Sequence, residues 1–331
     1  MDTRPLVSIN AVSFNHAKFL HDFFKGIFEQ RTDFSIELLI HDDCSTDGSR
    51  EIIERAAKER PDIVCPIYED ENQYSKGLPW GGAVWNLPRA KGKYYAYCEG
   101  DDYWCDPDKL QRQVDYLETH PEVGMVYGRT KNFDNESGRF IGEFGGPFTE
   151  FEDLFFNSTI PTATVLVRTE LARRYEDDIK PQGRGWAMGD YPRWLWFALN
   201  SRIAFQPEVT AVYRVLPESA SHSRSLARRY QFRLRSNPVS EYFIERYADR
   251  FTPEFIHRAR SSRHEQTLPM ALLMRDWPTV NKIRKYYSAA EAEGHTTPAA
   301  VRRMLAHPRL WRELIRMRNT ASDIKHLFIK C

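Results

Sequence analysis

The sequence predicts an α/β protein: a mainly parallel sheet flanked by helices, with a helical, basic C-terminal region after it. Three observations lead there. Strand and helix signals alternate through the first 130 residues, as they do where crossover helices join parallel strands. Polar clusters fall directly after apolar strand signals, at the sheet edge where ligands of such folds bind. Charge is uneven: residues 224–331 hold 22 Lys and Arg against 10 Asp and Glu, leaving 25 against 36 in the rest.

Residues 6–12 read as a short apolar strand ended by the polar break 13–16. Residues 17–30 place Phe19, Leu20, Phe23, Phe24 and Ile27 at helical spacing. A second strand, 36–40, runs straight into HDDCSTDGS. Asp47 or Ser49 can cap a helix over 50–60, which Pro61 closes. A third strand covers 63–68, and the Gly/Pro/Trp-rich stretch 69–89 reads as a long functional loop with a short helix. Residues 93–98 form a fourth strand ending in EGDDYW, then come a helix over 108–119 and a fifth strand over 123–127. Residues 130–165 look irregular, with a hairpin around 135–138. A strand over 164–168, an aromatic-rich helix over 190–200 and an extended segment over 203–213 follow. Beyond 224 the chain turns helical: 268–274 and 279–287 resemble a helical hairpin broken at Pro278. A helix over 301–318 carries Leu305, Leu310, Leu314 and Ile315 among arginines.

The 331 residues suffice for about two domains, read as 1–222 and 223–331. Hydrophobic residues at 41% and charged residues at 28% fit a soluble globular chain. The five cysteines, Cys44, Cys65, Cys98, Cys105 and Cys331, are odd in number and lack zinc-type spacing, so neither a disulfide framework nor a zinc site is expected. No signal peptide is evident, and no apolar run approaches the ~20 residues that span a bilayer. The expected compartment is therefore the cytoplasm.

The acidic clusters carry the chemistry. Glu99, Asp101 and Asp102 crowd one strand end, where a cation relieves their repulsion. Oxygen ligands favour Mg²⁺ or Mn²⁺, completed by water and phosphate oxygens. Such an ion can act as a Lewis acid on a diphosphate leaving group. Asp42 and Asp43 follow the second strand in the same way, and a carboxylate there can accept hydrogen bonds from a base or a ribose. No G-x-G-x-x-G follows the first strand, no P-loop occurs and no G-x-S-x-G elbow occurs.

Four stretches together resemble a family-2 glycosyltransferase of the GT-A fold, of the bacterial polysaccharide-building type. They are VSINAVSFNHAKFL (7–20), ELLIHDDCSTDGS (37–49), KGKYYAYCEGDDYWCDPDKLQRQVDYL (91–117) and MGDYPRWLWFALNSRIAFQPEVTAVYRV (188–215). The resemblance covers about residues 5–222. It implies a Rossmann-like catalytic domain and an inverting transfer from a nucleotide-diphosphate sugar to an acceptor hydroxyl. Asp43 would contact the base, with Asn15 and Lys76 nearby. Glu99 and Asp101 take the two acidic positions of the D-x-D motif. Asp101, with Asp102 after it, would ligate the metal, and Glu99 would lie nearer the ribose or sugar. Asp190 would be the general base, and Arg214 would help hold the diphosphate. The chain departs from the family pattern at Glu99, at Gly189 and after Arg214, where the nearest histidine is His222.

Three other functions compete: a sugar nucleotidyltransferase, which wants a basic Gly-rich loop missing here, a catalytically silent binding or scaffold protein, and a carbohydrate hydrolase, which does not explain a nucleotide-type Asp beside acids at strand ends. The expected partners are the nucleotide sugar and a carbohydrate or lipid-linked acceptor, with no nucleic acid. The basic C-terminal helices suit peripheral contact with an anionic inner membrane face.

Overall fold

A computed structural model of the chain describes residues 4–77, 82–216, 223 and 225–321. It divides into two compact units, Met1–Leu154 with Ser158–Leu216, and Phe155–Asn157 with Pro217–Cys331. His222 and Cys331 lie outside the described residues.

The first unit carries nine strands: β1 (Val7–Ser13), β2 (Ile36–Asp42), β3 (Val64–Tyr68), β4 (Tyr94–Tyr97), β5 (Tyr103–Trp104), β6 (Val123–Asp134), β7 (Arg139–Phe144), β8 (Leu166–Arg168) and β9 (Arg202–Val215). They form one sheet in the order β3-β2-β1-β4-β8-β6-β9-β5, with β7 paired to β6. The first four strands run parallel, as does β6 with β9. Antiparallel pairing enters with β8, which slots between β4 and β6, and with β5 and β7. All seven residues of β2 are buried, as expected of a parallel strand covered on both faces. The segment expected to be irregular is more regular than its sequence suggests. Strand β6 continues to Asp134 and turns back through β7, with a register shift after Asn132.

The helices of this unit are α1 (Leu20–Phe28), α2 (Ser49–Glu59), α3 (Leu87–Arg89), α4 (Lys109–Thr119), α5 (Phe151–Phe156, whose last two residues belong to the second unit), α6 (Thr169–Ile179) and α7 (Asp190–Asn200). Leu20, Phe23, Phe24 and Ile27 of α1 are buried in the main core. Gly26 sits where α1 crosses β5. A Cβ there would lie 2.4 Å from the Trp104 carbonyl oxygen, so only glycine permits the approach. Beneath the same strand, Lys109 is fully buried; its Nζ donates to Gln113 Oε1 at 2.8 Å and lies 4.3 Å from the Trp104 ring centroid. Burial lowers its ammonium to about 7. On the other side of the sheet, α6 and α7 are tied by Arg193 and Glu176, whose charged atoms approach to 3.5 Å. Burial lifts the Glu176 carboxyl, and Arg193 and Gln182 hold back part of that rise.

The second unit holds α8 (Leu226–Arg246), α9 (Pro253–Met274), α10 (Trp277–Ala292), α11 (Ala299–Ala306) and α12 (Pro308–Ala321). Leu268, Leu272, Val280, Ile283, Tyr287 and Val301 are among its core residues. Pro278 does not break a helix; it occupies the first turn of α10, where its missing N–H is not needed. The single helix expected over 301–318 is two helices: α11 ends at Ala306 and α12 opens on Pro308, a residue suited to a first helical position. Of the two expected caps of α2, Asp47 contributes: its Oδ1 accepts from the Ser49 amide, the first of the helix, at 3.0 Å. The N-cap is Gly48, at φ 94°, without a side-chain bond.

Two measurements test these contacts. Gly26→Ala is expected to destabilise the protein by about 1–3 kcal/mol through overpacking, read as a lower urea midpoint; an unchanged midpoint would contradict the α1–β5 approach. Arg193→Met strands a buried carboxylate and is expected to lose about 3 kcal/mol or more. Without the guanidinium, Glu176 has a folded-state pKa well above its unfolded one, so stability falls as pH rises through it. The deficit should be smaller at pH 5 than at pH 8, and adding Glu176→Gln should recover most of it; equal deficits at both pH values would contradict the pairing.

Candidate active site

The site begins with two strand-end turns bound to each other. Beyond β1, the Asn15 amide donates to Ser45 Oγ at 2.9 Å, the His16 amide to Ser49 Oγ at 2.9 Å, and the Ala17 amide to Asp47 Oδ2 at 3.0 Å. In return the Thr46 amide, beyond β2, donates to Asn15 Oδ1 at 2.8 Å. Asp47 thus serves both elements: its Oδ2 joins the crossing, and its Oδ1 accepts from the Ser49 amide at 3.0 Å and the Ser49 hydroxyl at 2.6 Å at the start of α2. Burial pushes the Asp47 carboxyl up, but bonds from Ser49 and the Ala17 amide outweigh it and leave it below its usual value. Asn15 and Cys44 adopt left-handed backbone, at φ 56° and 64°, a conformation Asn tolerates better than most residues.

On one side of this crossing lies the 69–77 segment. Asp43 anchors it: Oδ1 accepts from the Gln73 amide at 2.7 Å and Oδ2 from the Tyr74 amide at 3.1 Å. The sequence reading did not foresee this anchoring. Lys76 is exposed and ion-paired to Glu71. His41 stacks on Trp85, with centroids 4.6 Å apart, and its Nε2 lies 3.2 Å from Glu69 Oε1.

On the other side, the acidic turn follows β4. The Gly100 amide donates to the Val12 carbonyl at 3.0 Å, and the Asp102 amide to the Glu99 carbonyl at 3.0 Å. A Cβ on Gly100 would fall 2.9 Å from His16 Nδ1, so the glycine lets the turn lie against the first loop. Asp101 is half-buried, and its Oδ2 is 4.0 Å from His16 Nε2. Asp102 is 5% exposed, and its Oδ1 accepts from the Arg214 amide at 2.8 Å. Burial and then Asp101 push the Asp102 carboxyl well above its usual range, against the bond from Arg214.

Asp190 joins this group from the first residue of α7. Glu99 is exposed, though the surrounding protein displaces part of the water around its carboxyl. That loss of water, then repulsion from Asp101 and Asp190, raises its carboxyl to about 7, against the pull of Arg193. Tyr213 feels all four acids: burial first, then Asp102, Asp101, Glu99 and Asp190, push its phenol up. The structure therefore draws Glu99, Asp101, Asp102 and Asp190 into one electrostatic neighbourhood. Asn15 lies one turn away, and Asp43 and Lys76 lie toward the 69–77 segment. Arg214 reaches the acids through its backbone, while its guanidinium turns to Asp22 on α1.

Arg193 and Tyr213 were not singled out from sequence. Arg193 lies three residues after Asp190, on the same helix face, and that spacing was the available signal.

Among the described residues, no three His, Cys, Asp or Glu side chains form a metal cage by themselves. The donor set nonetheless fits a hard cation that keeps water and phosphate ligands. Asp101 and Asp102 offer carboxylate oxygens, the crowded acids carry charge that a cation would relieve, and the buried His16 Nδ1 has no partner.

Residues 8–169 match the family model described as Glycosyl transferase family 2. An uncharacterised protein of Mycobacterium tuberculosis is 31% identical over 236 residues, covering 67% of this chain and 62% of that protein. This chain thus spans 62% of the length of that relative. The putative teichuronic acid biosynthesis glycosyltransferase TuaG of Bacillus subtilis is 28% identical over 234 residues, 67% of this chain and 83% of TuaG. The crystal structure of S. aureus TarS 1–349 in complex with UDP-GlcNAc superposes with a TM-score of 0.60 at 18% identity, over 93% of this chain and 88% of that one. At such identity the likeness is one of fold, the GT-A fold of the sequence reading. The matched segment contains all three strand-end turns, and by it this chain belongs to glycosyl transferase family 2.

Proposed function

We propose that the chain transfers a sugar from a nucleoside-diphosphate donor to a hydroxyl of a carbohydrate or lipid-linked acceptor, inverting the anomeric carbon. The electrostatic neighbourhood that Asp190 shares with Glu99, Asp101 and Asp102 supports this most, because it brings a candidate base near an acid cluster suited to a cation–diphosphate pair. Asp190 takes the proton of the acceptor hydroxyl as that oxygen attacks the anomeric carbon. The bond to the β-phosphate oxygen breaks, and its electron pair leaves with the nucleoside diphosphate. Asp101 and Asp102 would hold Mn²⁺ or Mg²⁺, which supplies Lewis-acid stabilisation to the leaving diphosphate. Glu99 faces the sugar or ribose. Asp43, Asn15 and Lys76 border the nucleotide, and Arg214 contributes positive charge behind Asp102. The UDP-GlcNAc in TarS and the name of TuaG favour a nucleotide sugar and a cell-envelope polysaccharide.

Nucleoside diphosphate release should be followed with a panel of nucleotide sugars and Mn²⁺, Mg²⁺ or chelator. One donor should turn over with metal only, and Asp101→Ala should abolish this. Asp190→Asn should slow transfer by about 10²–10⁴-fold while donor binding persists. If no nucleotide sugar binds with or without metal, the proposal is wrong.

We also propose that the protein sits peripherally on an anionic membrane. No helix among the described residues is long and apolar enough to cross one. Along α12, however, Leu310, Leu314 and Met317 are 58%, 40% and 56% exposed. They recur at helical spacing among Arg309, Arg312, Arg316 and Arg318, the pattern of an interfacial helix. Cosedimentation with vesicles containing anionic lipid should weaken at high salt, on removal of residues 300–331, and in Leu310→Ser/Leu314→Ser. Binding insensitive to all three would remove the proposal.

A further inference from the structure

A second cleft, of about 380 Å³, opens beside the acidic turn, lined by Lys18, Phe19, Asp22, Tyr103 and Arg214, with Phe133 and Asn135 from the far end of β6. Its size falls within the roughly 300–1,000 Å³ of small-ligand pockets. Arg214 is its fixed wall. The residue is 6% exposed and its guanidinium is ion-paired to Asp22. It also lies 4.7 Å from the Tyr103 ring centroid and 5.1 Å from that of Phe19. Held on three sides, it still has a buried Nε without a hydrogen-bond partner. A guanidinium held this firmly is a preorganised positive wall for a ligand in the cleft.

The lining selects the ligand class. The Asp22 side chain is 48% exposed, so a bare phosphate placed here would face a carboxylate as well as the two cations. A sugar ring meets no such conflict. Its hydroxyls can donate to Asp22 and accept from Lys18 and the Asn135 amide, beside the positive wall of Arg214. Tyr103 and Phe133, both half-buried, offer aromatic surface to its apolar C–H face. We propose that this cleft is a carbohydrate subsite, separate from the Glu99–Asp102 site, that holds a sugar unit of the acceptor or of the growing product. Its assignment to acceptor or product rests on the transferase reading; its affinity for sugar does not.

The test is ligand-observed NMR on the full chain with methyl glucoside, galactoside, mannoside and N-acetylglucosaminide and their disaccharides. Spectra are recorded with and without UDP and Mg²⁺ to fill the proposed donor site, and with inorganic phosphate as competitor. At least one glycoside should show saturation transfer that persists with UDP and Mg²⁺. Its affinity should fall about tenfold in Lys18→Ala/Asn135→Ala, each substitution removing a donor. Both are surface positions, and an unchanged melting curve would confirm that the variant folds. Absence of binding by every glycoside, loss of binding on adding UDP, indifference to the double substitution, or displacement by phosphate would each overturn the proposal. If nucleotide sugars do not bind but the glycoside does, with the expected loss in the variant, the subsite stands and the transferase reading falls.

Discussion

The site depends on the lashing of the first two strand-end turns. Strands β1 and β2 pair in parallel over seven residues, from Val7 with Ile36 to Ser13 with Asp42, so their turns emerge side by side. The amides of Asn15, His16 and Ala17 then bind oxygens of Ser45, Ser49 and Asp47, and Asn15 Oδ1 binds back to Thr46. These bonds satisfy loop amides that would otherwise need water, and they hold His16 in place. Gly100 packs onto His16, and Gly100 carries Asp101. One crossing thus sets the depth at which the acidic turn lies.

Charge is the second constraint. Four acids share one neighbourhood, and the fold offers them little internal relief: Arg193 from below, and the Arg214 amide on Asp102. Burial and mutual repulsion keep Glu99 and Asp102 reluctant to ionise. Such an arrangement is poorly compensated alone and well compensated when a cation and a diphosphate enter together. Stability elsewhere, in the α1–β5 contact and in the two apolar cores, carries that local strain.

The fold was legible where periodicity was strong. Strands β1 to β4, α1, α2, α4 and α7 lie within a few residues of where spacing put them, because their buried faces follow the periods of strand and helix. The antiparallel insertion of β8 was not legible, since three residues carry no direction. The length of β6 was hidden because its outer half is only partly buried and mostly polar. Helix capping was half legible at Asp47 and Ser49: Asp47 Oδ1 accepts from the first amide of α2, while Asp47 Oδ2 and Ser49 Oγ accept amides of another loop. In the candidate site, the acids at strand ends were visible as motifs. Arg193 and Tyr213 were not, because an arginine among aromatics and a tyrosine in a strand look like packing. Asp43 shows the limit of motif reading, for its carboxylate holds two loop amides that no local pattern announces.

The two ends of Arg214 serve different masters. Its amide holds Asp102, and its guanidinium walls the neighbouring cleft. Any residue except proline supplies that amide, so the side chain at this position can drift without releasing Asp102. Asp22, Lys18 and Asn135 are freer still, since none of them touches the acidic turn. The cleft can therefore diversify across descendants of this fold while the chemistry beside it is inherited unchanged.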